Sequence, residues 1–316
     1  MEPSRIGVMG TGAVGGYFGG MLARAGHRVS LIARPAQVDA IASQGLRIQS
    51  AQWQASIGPP QLSVSSDPSA LAAMDGILLC VKSSDTESVA ALMRPHLAPD
   101  CWVMSLQNGV DNAARASLVL GRQVIPAVVY VATAMPEPGL VQHFGRGDLV
   151  IGKPDPGSDD GPIHTELLQT IAGLFNASGV PVTISDNVMH ALWSKLMVNC
   201  IFNAISALAQ MDYGTLSAHA QTRQTMHAVL DEVVRVANAG GTPLTLQQGL
   251  EASEKIIQGM PRQFSSTAQD IARQKRSEID HLNGFIVREG QRLGVPTPVN
   301  ATLHALVKLV ESGFRA

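Results

Sequence analysis

The pattern of apolar and polar positions changes once along this chain, near residue 186. Before that point, short apolar runs typical of buried strands alternate with stretches that have helical spacing. From Asp186 onward the strand-like runs vanish and only helical spacing remains. The pattern therefore predicts an α/β domain over residues 1–185 and an all-α domain over residues 186–316.

The predicted elements of the first part are strands at 6–9, 29–34, 76–81, 101–106, 124–131, 140–143, 148–152 and 180–184, with helices after the first strand, at 87–93 and at 165–176. The predicted helices of the second part are 187–209, 215–239, 245–258, 264–293 and 298–312. The Pro- and Gly-rich stretch 153–162 predicts a surface loop. Functional groups gather at the C-terminal ends of strands in open α/β sheets, where this pattern places Lys82, Asn108 and Ala134.

A glycine-rich turn follows the first predicted strand and has the sequence Gly10-Thr11-Gly12-Ala13-Val14-Gly15. In a dinucleotide-binding βαβ unit, the first glycine permits the tight turn and the second lets the backbone approach a pyrophosphate. The third lets the helix lie close to the sheet, and the helix N-terminus offers free N–H groups to the phosphates. The position after a strand and before a helix is the context that this motif requires. The sequence therefore predicts a Rossmann domain.

The end of the second strand indicates which dinucleotide binds. Sites that prefer NAD usually place an acidic residue there, but this chain has Arg34. No acidic residue occurs between Glu2 and Asp39. A guanidinium can bind a phosphate in a fork, so we expect NADP(H) as the cofactor; the alternative is a solvated arginine at the edge of the sheet.

Composition narrows the classes of partner. The 316 residues carry a net charge of −2, and aromatic residues make up only 4%, which argues against nucleic acid and anionic membranes as partners.

The glycine motif occupies the only stretch that resembles a signal peptide, and three widely spaced cysteines suggest free thiols, so we expect a cytoplasmic protein. The nine histidines show no metal-ligand spacing, which predicts no metal site.

A polar stripe crosses the most apolar predicted helix. Lys195, Asn199 and Asn203 lie four residues apart, so a helix places them on one side among apolar neighbours. A lysine in such a setting can supply a proton to the alkoxide that hydride addition to a carbonyl creates, while the amides orient substrate oxygens. The alternative is a stripe that simply faces solvent.

A third cluster lies in Arg276–Gly284. Glu278 and Asp280 are two residues apart and cannot face the same way on a helix, so one is expected at the surface while the other meets Lys195. Ser265 and Ser266 lie near a predicted helix start, where capping is their usual role.

With these residues assembled, the chain resembles the ketopantoate reductase (2-dehydropantoate 2-reductase) family over its whole length. The resemblance depends on the glycine motif and on a set of short motifs in a fixed order: Val81-Lys82, Gln107-Asn108-Gly109, Trp193-Ser194-Lys195-Leu196 with Asn199, and Glu278-Ile279-Asp280-His281-Leu282-Asn283-Gly284. It implies NADPH-dependent reduction of ketopantoate to pantoate, on the route to pantothenate.

The resemblance also implies a role for individual residues. Lys195 would be the proton donor, and Glu278 would act at the cofactor ribose or beside Lys195. The other implied contacts are Lys82, Asn108 and Ala134 with the cofactor, and Asn199, Asn203 and Ser266 with the substrate.

Two positions depart from the family pattern on the substrate side, because Gln263 and Tyr213 stand where the family's well-studied members carry asparagine. A reductase of a different small 2-oxo or imino acid therefore remains an alternative. A second alternative is a protein that senses NADP(H) without turnover. A homodimer through the C-terminal helices also stays open.

Overall fold

The computed structural model describes residues 2–155 and 161–314, so residues 156–160 of the predicted loop lie outside the described part. Contacts divide the chain into two compact units. The first comprises the residues up to Gln107 together with Asp111–Val188, and the second comprises Asn108–Val110 with the residues from Met189 onward. The α/β fold class, with a Rossmann-like N-terminal part and a helical C-terminal part, is confirmed.

The first unit is built on one sheet of ten strands among the described residues. The strands are Arg5–Met9 (β1), Arg28–Ile32 (β2), Leu46–Ser50 (β3), Gln54–Ile57 (β4), Leu62–Ser65 (β5), Gly76–Leu79 (β6), Trp102–Ser105 (β7), Ile125–Glu137 (β8), Leu140–Gly152 (β9) and Val182–Ser185 (β10). The helices are Ala13–Arg24 (α1), Pro35–Gln44 (α2), Thr86–Met93 (α3), Asn112–Leu120 (α4) and Thr165–Ala177 (α5).

The strand order is β4-β3-β9-β8-β7-β6-β1-β2-β5, with β10 beside β9. The six strands from β5 to β8 run parallel, which is the doubly wound arrangement of dinucleotide-binding folds. Antiparallel pairing occurs between β8 and β9 and between β3 and β4. This order brings the C-terminal ends of β1, β2 and β6 side by side.

Side chains on both faces of the parallel strands are buried. Leu78 and Met104 belong to one core, whereas the neighbouring Ile77 and Val103 belong to the core on the opposite face, and all four are fully buried. Burial on both faces explains why these strands are continuous apolar runs in the sequence rather than alternating ones.

Three details of the first unit differ from the predicted elements. The two strands expected at 140–143 and 148–152 form the single strand β9, which bulges where Gly145, Arg146 and Gly147 all have positive φ. Strand β8 continues to Glu137, so Ala134 lies inside a strand, opposite Gln142, rather than beyond its end. No strand was expected at β3, β4 or β5.

The second unit is helical in its described residues. The helices are Val188–Ala209 (α6), Tyr213–Ser217 (α7), Ala220–Ala239 (α8), Leu246–Gly259 (α9), Ser266–Ala272 (α10), Asn283–Leu293 (α11) and Pro298–Ser312 (α12). The long helix expected over 264–293 is wrong, because α10 ends at Ala272 and α11 begins only at Asn283. Gln274 has a left-handed φ of 53°, which no helix interior accommodates.

Helix α6 is the one described helix whose length and apolar composition would allow it to cross a membrane. Within the apolar window of that helix, 61% of the residues are buried inside the protein. That degree of internal packing is typical of a core helix, which passes the same test of length and composition.

Candidate functional site

The motif between β1 and α1 contains three glycines, and the backbone requires glycine at two of them, Gly10 and Gly15. Gly10 has a φ of +102°, and a Cβ atom there would lie 2.7 Å from Val81 Cγ1. A Cβ atom at Gly15 would collide with the carbonyl oxygen of Gly10. Both positions therefore need glycine for the turn itself.

Gly12 differs, because its φ of −88° suits any residue and a Cβ atom there would meet no heavy atom within 4 Å. It is also the N-cap of α1 and provides no side-chain cap, so the first N–H groups of the helix lack a side-chain acceptor. The turn thus leaves room and donors for an anionic group at the helix N-terminus. These residues fit the pyrophosphate of a dinucleotide.

We predict that alanine at these glycines separates folding from cofactor binding. Gly10→Ala should lower the melting temperature, because a left-handed alanine costs about 1–2 kcal/mol and its Cβ atom overlaps Val81. Gly12→Ala should leave the melting temperature unchanged or slightly raised while weakening dinucleotide binding about tenfold or more. Thermal unfolding measures the melting temperature of each variant, and a fluorescence titration measures its affinity for the dinucleotide. Unchanged binding in Gly12→Ala would remove the pyrophosphate assignment.

The turn is fixed to the end of β2. The backbone N–H groups of Gly10 and Thr11 both donate to the carbonyl oxygen of Ile32 at 3.2 Å, and the Thr11 hydroxyl donates to it at 3.0 Å. Arg34 follows two residues later as the exposed N-cap of α2. The structure therefore holds Arg34 beside the glycine turn.

Two other arginines near the N-terminus, Arg5 and Arg24, are engaged elsewhere. Arg5 pairs with Asp75, and the Arg24 guanidinium lies 4.4 Å from the centre of the Trp53 ring. The Arg34 side chain makes no hydrogen bond or ion pair within the part of the chain that the structure describes. Arg34 is thus available to an external anion.

The remaining predicted cofactor residues of the first unit are Lys82 and Ala134. Lys82 is exposed and precedes the 3₁₀ turn Ser83–Asp85, just beyond the end of β6. Ala134 is 7% exposed within β8. Lys82 is therefore at the same edge of the sheet as the glycine turn, as expected from the sequence.

In the second unit, helix α6 carries the polar stripe. Lys195 and Asn199 are half-buried, and Asn203 is only 3% exposed. The interpretation of the stripe as a solvent-facing surface is therefore wrong for Asn203. The Asn203 side-chain amide makes no hydrogen bond with any described residue, and its polar atoms are not among the fully enclosed side-chain atoms that lack a partner, so they can still reach water or a ligand.

Lys195 is connected to Glu278 through one amide group. The Lys195 ammonium donates to Asn108 Oδ1 at 3.0 Å, and Asn108 Nδ2 donates to Glu278 Oε2 at 3.1 Å. Asn108 comes shortly after β7 but lies in the second unit. The Asn108 side-chain oxygen binds the Lys195 ammonium and its side-chain nitrogen binds the Glu278 carboxylate. The three side chains therefore restrict one another's orientation.

Glu278 and Asp280 have separate partners. Asp280 accepts hydrogen bonds from His304 at 2.6 Å and from Lys308 at 2.7 Å. The hydrogen bond with His304, helped by Lys308, holds the pKa of the Asp280 carboxyl well below its usual range. Glu278, and not Asp280, therefore shares a partner with Lys195.

The two serines near α10 differ in their surroundings. Ser265 is fully buried, accepts the Ala268 N–H at 3.0 Å as the N-cap of α10, and donates to the Asn203 carbonyl at 3.3 Å. Ser266 is the exposed first residue of the helix. The bond from Ser265 fixes the start of α10 against α6, a role that its sequence position alone does not reveal.

Tyr213 and Gln263, far apart in the sequence, are neighbours in the structure. The Tyr213 N–H donates to the Gln263 carbonyl at 3.0 Å, and the Tyr213 ring packs on Phe202 with centroids 4.6 Å apart. Burial raises the pKa of the Tyr213 phenol well above its ordinary value. Tyr213 and Gln263 therefore lie together next to Phe202, the residue that precedes Asn203 on α6.

Metal and thiol chemistry find no support in the described residues. No group of three or more His, Cys, Asp and Glu side chains lies close enough there to hold a metal ion. Burial raises the pKa of the Cys101 thiol to about 11 and raises those of Cys80 and Cys200 further. The thiols are therefore protonated at neutral pH and are weak nucleophiles.

Family models match the chain in two successive parts. The model described as "Ketopantoate reductase PanE/ApbA" matches residues 6–156, and the model described as "Ketopantoate reductase PanE/ApbA C terminal" matches residues 187–311. Together they include both the glycine turn and the Lys195–Asn108–Glu278 cluster.

Curated proteins and solved structures agree with these matches. The 2-dehydropantoate 2-reductases of Halobacterium salinarum and Pyrococcus horikoshii are 31% and 30% identical to this chain, covering 97% and 98% of it and 99% and 98% of their own lengths. The crystal structure of a PanE/ApbA family ketopantoate reductase from Ralstonia eutropha JMP134 is 50% identical, covers 98% of both chains and has a TM-score of 0.89.

Proposed function

We propose, from the premise that this chain belongs to the ketopantoate reductase (PanE/ApbA) family, that it reduces the 2-oxo group of 2-dehydropantoate to give pantoate, with NADPH as the hydride donor. The chain is an oxidoreductase of the 2-dehydropantoate 2-reductase type. The observation that carries the proposal is the chain of contacts from Lys195 through Asn108 to Glu278.

The reaction needs a hydride and a proton. NADPH, when bound, supplies the hydride to the carbonyl carbon. The carbonyl oxygen then carries a negative charge, and the Lys195 ammonium neutralises it by giving up one proton, which the amine regains from solvent. Asn108 accepts one N–H of the ammonium, so it limits the directions in which the other two N–H groups point.

Glu278 orients this donor. Its carboxylate accepts from Asn108 Nδ2, which turns the amide oxygen towards Lys195. An asparagine held on both sides loses little freedom when substrate binds, and such pre-organisation lowers the barrier to reaction.

Asn203 binds a polar group of the substrate in this proposal. Its side-chain amide hydrogen-bonds with no described residue and is not fully enclosed, whereas the neighbouring hydroxyl of Ser206 donates to Met211 O at 2.8 Å. Asn199 and Ser266 would complete the set of substrate contacts. The acid substrate thus meets the amides of α6 and the cation Lys195.

The cofactor residues belong to the same proposal. The backbone of residues 10–15 would hold the pyrophosphate, and Arg34 would bind the 2′-phosphate that distinguishes NADP(H) from NAD(H). Lys82, Asn108 and Ala134 would contact the remainder of the cofactor. In this assignment, residues 1–185 bind the cofactor and residues 186–316 bind substrate, in a cytoplasmic enzyme that acts on a small acid.

A second candidate function is the reduction of a different small 2-oxo or imino acid. The observation that favours it is the contact between Tyr213 and Gln263, which places an aromatic ring against Phe202 beside Asn203. A panel of 2-oxo acids ranked by kcat/KM decides between the two. Ketopantoate ranked first supports the proposed function, and another acid ranked clearly first supports the second candidate.

We predict that Asn203→Leu raises KM for the 2-oxo acid about tenfold or more, because a lost hydrogen bond to a charged group is worth about 1.5–3 kcal/mol. NADPH binding should not change. Steady-state kinetics check this, with Ser194→Ala on the same helix as the control, since the Ser194 hydroxyl is already satisfied by the His190 carbonyl at 2.8 Å. An unchanged KM in Asn203→Leu would exclude Asn203 from substrate binding.

A further inference from the structure

Glu278 lies on a segment with little regular structure of its own. Between α10 and α11 the chain makes a turn at Gln274, runs without regular structure to Ser277, and forms only the short 3₁₀ turn Ile279–His281. Backbone hydrogen bonds alone do not hold such a segment firmly, so side-chain contacts must position the Glu278 carboxylate.

The residue before Glu278 is bound by helix α12. Glu311, near the end of α12 and 7% exposed, accepts the Ser277 backbone N–H at 2.7 Å and the Ser277 hydroxyl at 2.6 Å on the same oxygen. Two donors on one buried carboxylate oxygen make a strong contact, because the acceptor is charged.

The residue two positions after Glu278 is bound by the same helix. The two oxygens of Asp280 separately accept hydrogen bonds from His304 and Lys308. Lys308 also pairs with Glu311 at 2.9 Å, so the contacts on the two sides of Glu278 are joined. This side of the segment is closely packed, since a Cβ atom at Gly284 would lie 2.8 Å from His304 Nε2.

The end of the segment is fixed by the side chain of Asn283. Asn283 Nδ2 donates to Asn300 Oδ1 on α12 at 2.9 Å and to the Cys200 carbonyl on α6 at 3.0 Å. Asn300 in turn donates through its backbone and side chain to the buried carboxylate of Glu232. The segment that carries Glu278 is therefore tied both to α12 and to the helix that carries Lys195.

The contacts on α12 form one stripe, which consists of Asn300, His304, Lys308 and Glu311 at helical spacing. The opposite side of the same helix exposes Leu306, Leu309 and Val310, with exposed fractions of 43%, 67% and 40%. A helix that only stabilised the fold would normally bury more of its apolar side chains and expose the polar ones. The inward polar stripe therefore requires another explanation.

We propose that the polar stripe of α12 positions Glu278, and through Asn108 sets the direction of the Lys195 ammonium. This inference rests on the proposed function, because it assigns α12 to the orientation of the same proton donor. The α12 residues are positioning residues: within the described structure they contact the segment around Glu278 and not the Lys195 side chain.

The test is a double-mutant cycle between α12 and Glu278. We expect Lys308→Met, which keeps the aliphatic stem, to lower kcat about tenfold with little change in NADPH affinity, since small misplacements of catalytic groups cost up to about 100-fold. In a Glu278→Ala background the same change should cost less than about twofold, because the acceptor for Asn108 Nδ2 is already gone. Ser277→Ala, which removes a contact with Glu311, should behave in the same way.

Two controls lie on the same helix. Leu309→Ala changes an exposed side chain and should leave kcat unchanged, and Val307→Ala weakens the buried side of α12 without touching the polar stripe. Val307→Ala should lower the melting temperature, yet it should lower kcat by less than about twofold and show no coupling with Glu278→Ala.

The outcomes separate this inference from the proposed function. If Lys308→Met and Ser277→Ala lower kcat by the same factor in the wild-type and Glu278→Ala backgrounds, or do not lower it at all, α12 does not position Glu278. A Glu278→Ala variant with wild-type kcat also overturns the inference. The proposed function fails on a different result, namely wild-type turnover after replacement of Lys195.

Discussion

Replacement of Lys195 by methionine is expected to lower kcat for ketopantoate reduction by about 1,000-fold, because loss of a general acid typically costs 10²–10⁴ in rate. Methionine matches the length of the aliphatic chain but has no proton to give and cannot donate to Asn108. NADPH affinity should stay within about twofold, since the glycine turn and Arg34 are untouched. Oxidation of NADPH, followed by the absorbance of the reduced nicotinamide, measures the rate, and fluorescence measures the affinity.

Lys195→Arg is the matched control for charge. Arginine keeps the cation and the ability to donate to Asn108, but it does not release a proton near neutral pH. We expect kcat of Lys195→Arg to stay far below that of the wild type. It should exceed kcat of Lys195→Met only by the amount that a positive charge stabilises the negative charge on the substrate oxygen. A Lys195→Arg variant with wild-type kcat would show that the positive charge, and not proton donation, is what this position provides.

Arg34→Asp is expected to have the second large effect, on cofactor choice. A charge-assisted hydrogen bond is worth about 1.5–3 kcal/mol, and an aspartate adds repulsion, so NADPH affinity should fall about 100-fold or more. NADH lacks the 2′-phosphate, and its affinity should change less than about threefold. Titrations of both cofactors with the wild type and the variant give the four dissociation constants that decide this.

Arg28→Asp makes the same change of charge at the opposite end of the same strand. Arg28 is exposed at the start of β2, whereas Arg34 follows the end of β2 beside the glycine turn. A general electrostatic effect would appear in both variants, but a direct contact with phosphate should appear only in Arg34→Asp. Equal losses of NADPH and NADH affinity in Arg34→Asp would withdraw the assignment of NADP(H).

The first βαβ unit could be predicted well because its signals are local. The apolar strand β1, the glycine turn and helix α1 follow one another within residues 5–24, and the structure shows why Gly10 and Gly15 must be glycine. The strands at the edge of the sheet carry weaker signals. Strand β4 alternates in burial and has only Ile57 buried, so no continuous apolar run marks it.

The interrupted helix over 264–293 shows how tertiary contacts override helical spacing. The stretch around Glu278 contains no proline or glycine before Gly284, so the sequence pattern continues as if it were helical. Contacts with α12 at Ser277 and Asp280 pull the chain out of that conformation. Their partners lie 24 to 34 residues away, beyond the reach of any local pattern.

The polar stripes were the part of the candidate site that the sequence revealed best. Spacing alone placed Lys195, Asn199 and Asn203 on one side of a helix, and the same reasoning applied to α12 would have found Asn300, His304 and Lys308. The role of Asn108 as the link between Lys195 and Glu278 could not be predicted, because 87 residues separate it from one partner and 170 from the other.

The most direct test of the proposed mechanism is chemical rescue of a Lys195→Ala variant in a single turnover of NADPH and ketopantoate. Alanine leaves space where the lysine stem lay, so a small primary alkylammonium ion can take its place next to Asn108 and donate the proton. The account predicts a slow reaction in buffer that becomes faster as the alkylammonium concentration rises. A Lys195→Ala variant that oxidises NADPH at the wild-type rate without added amine would contradict it.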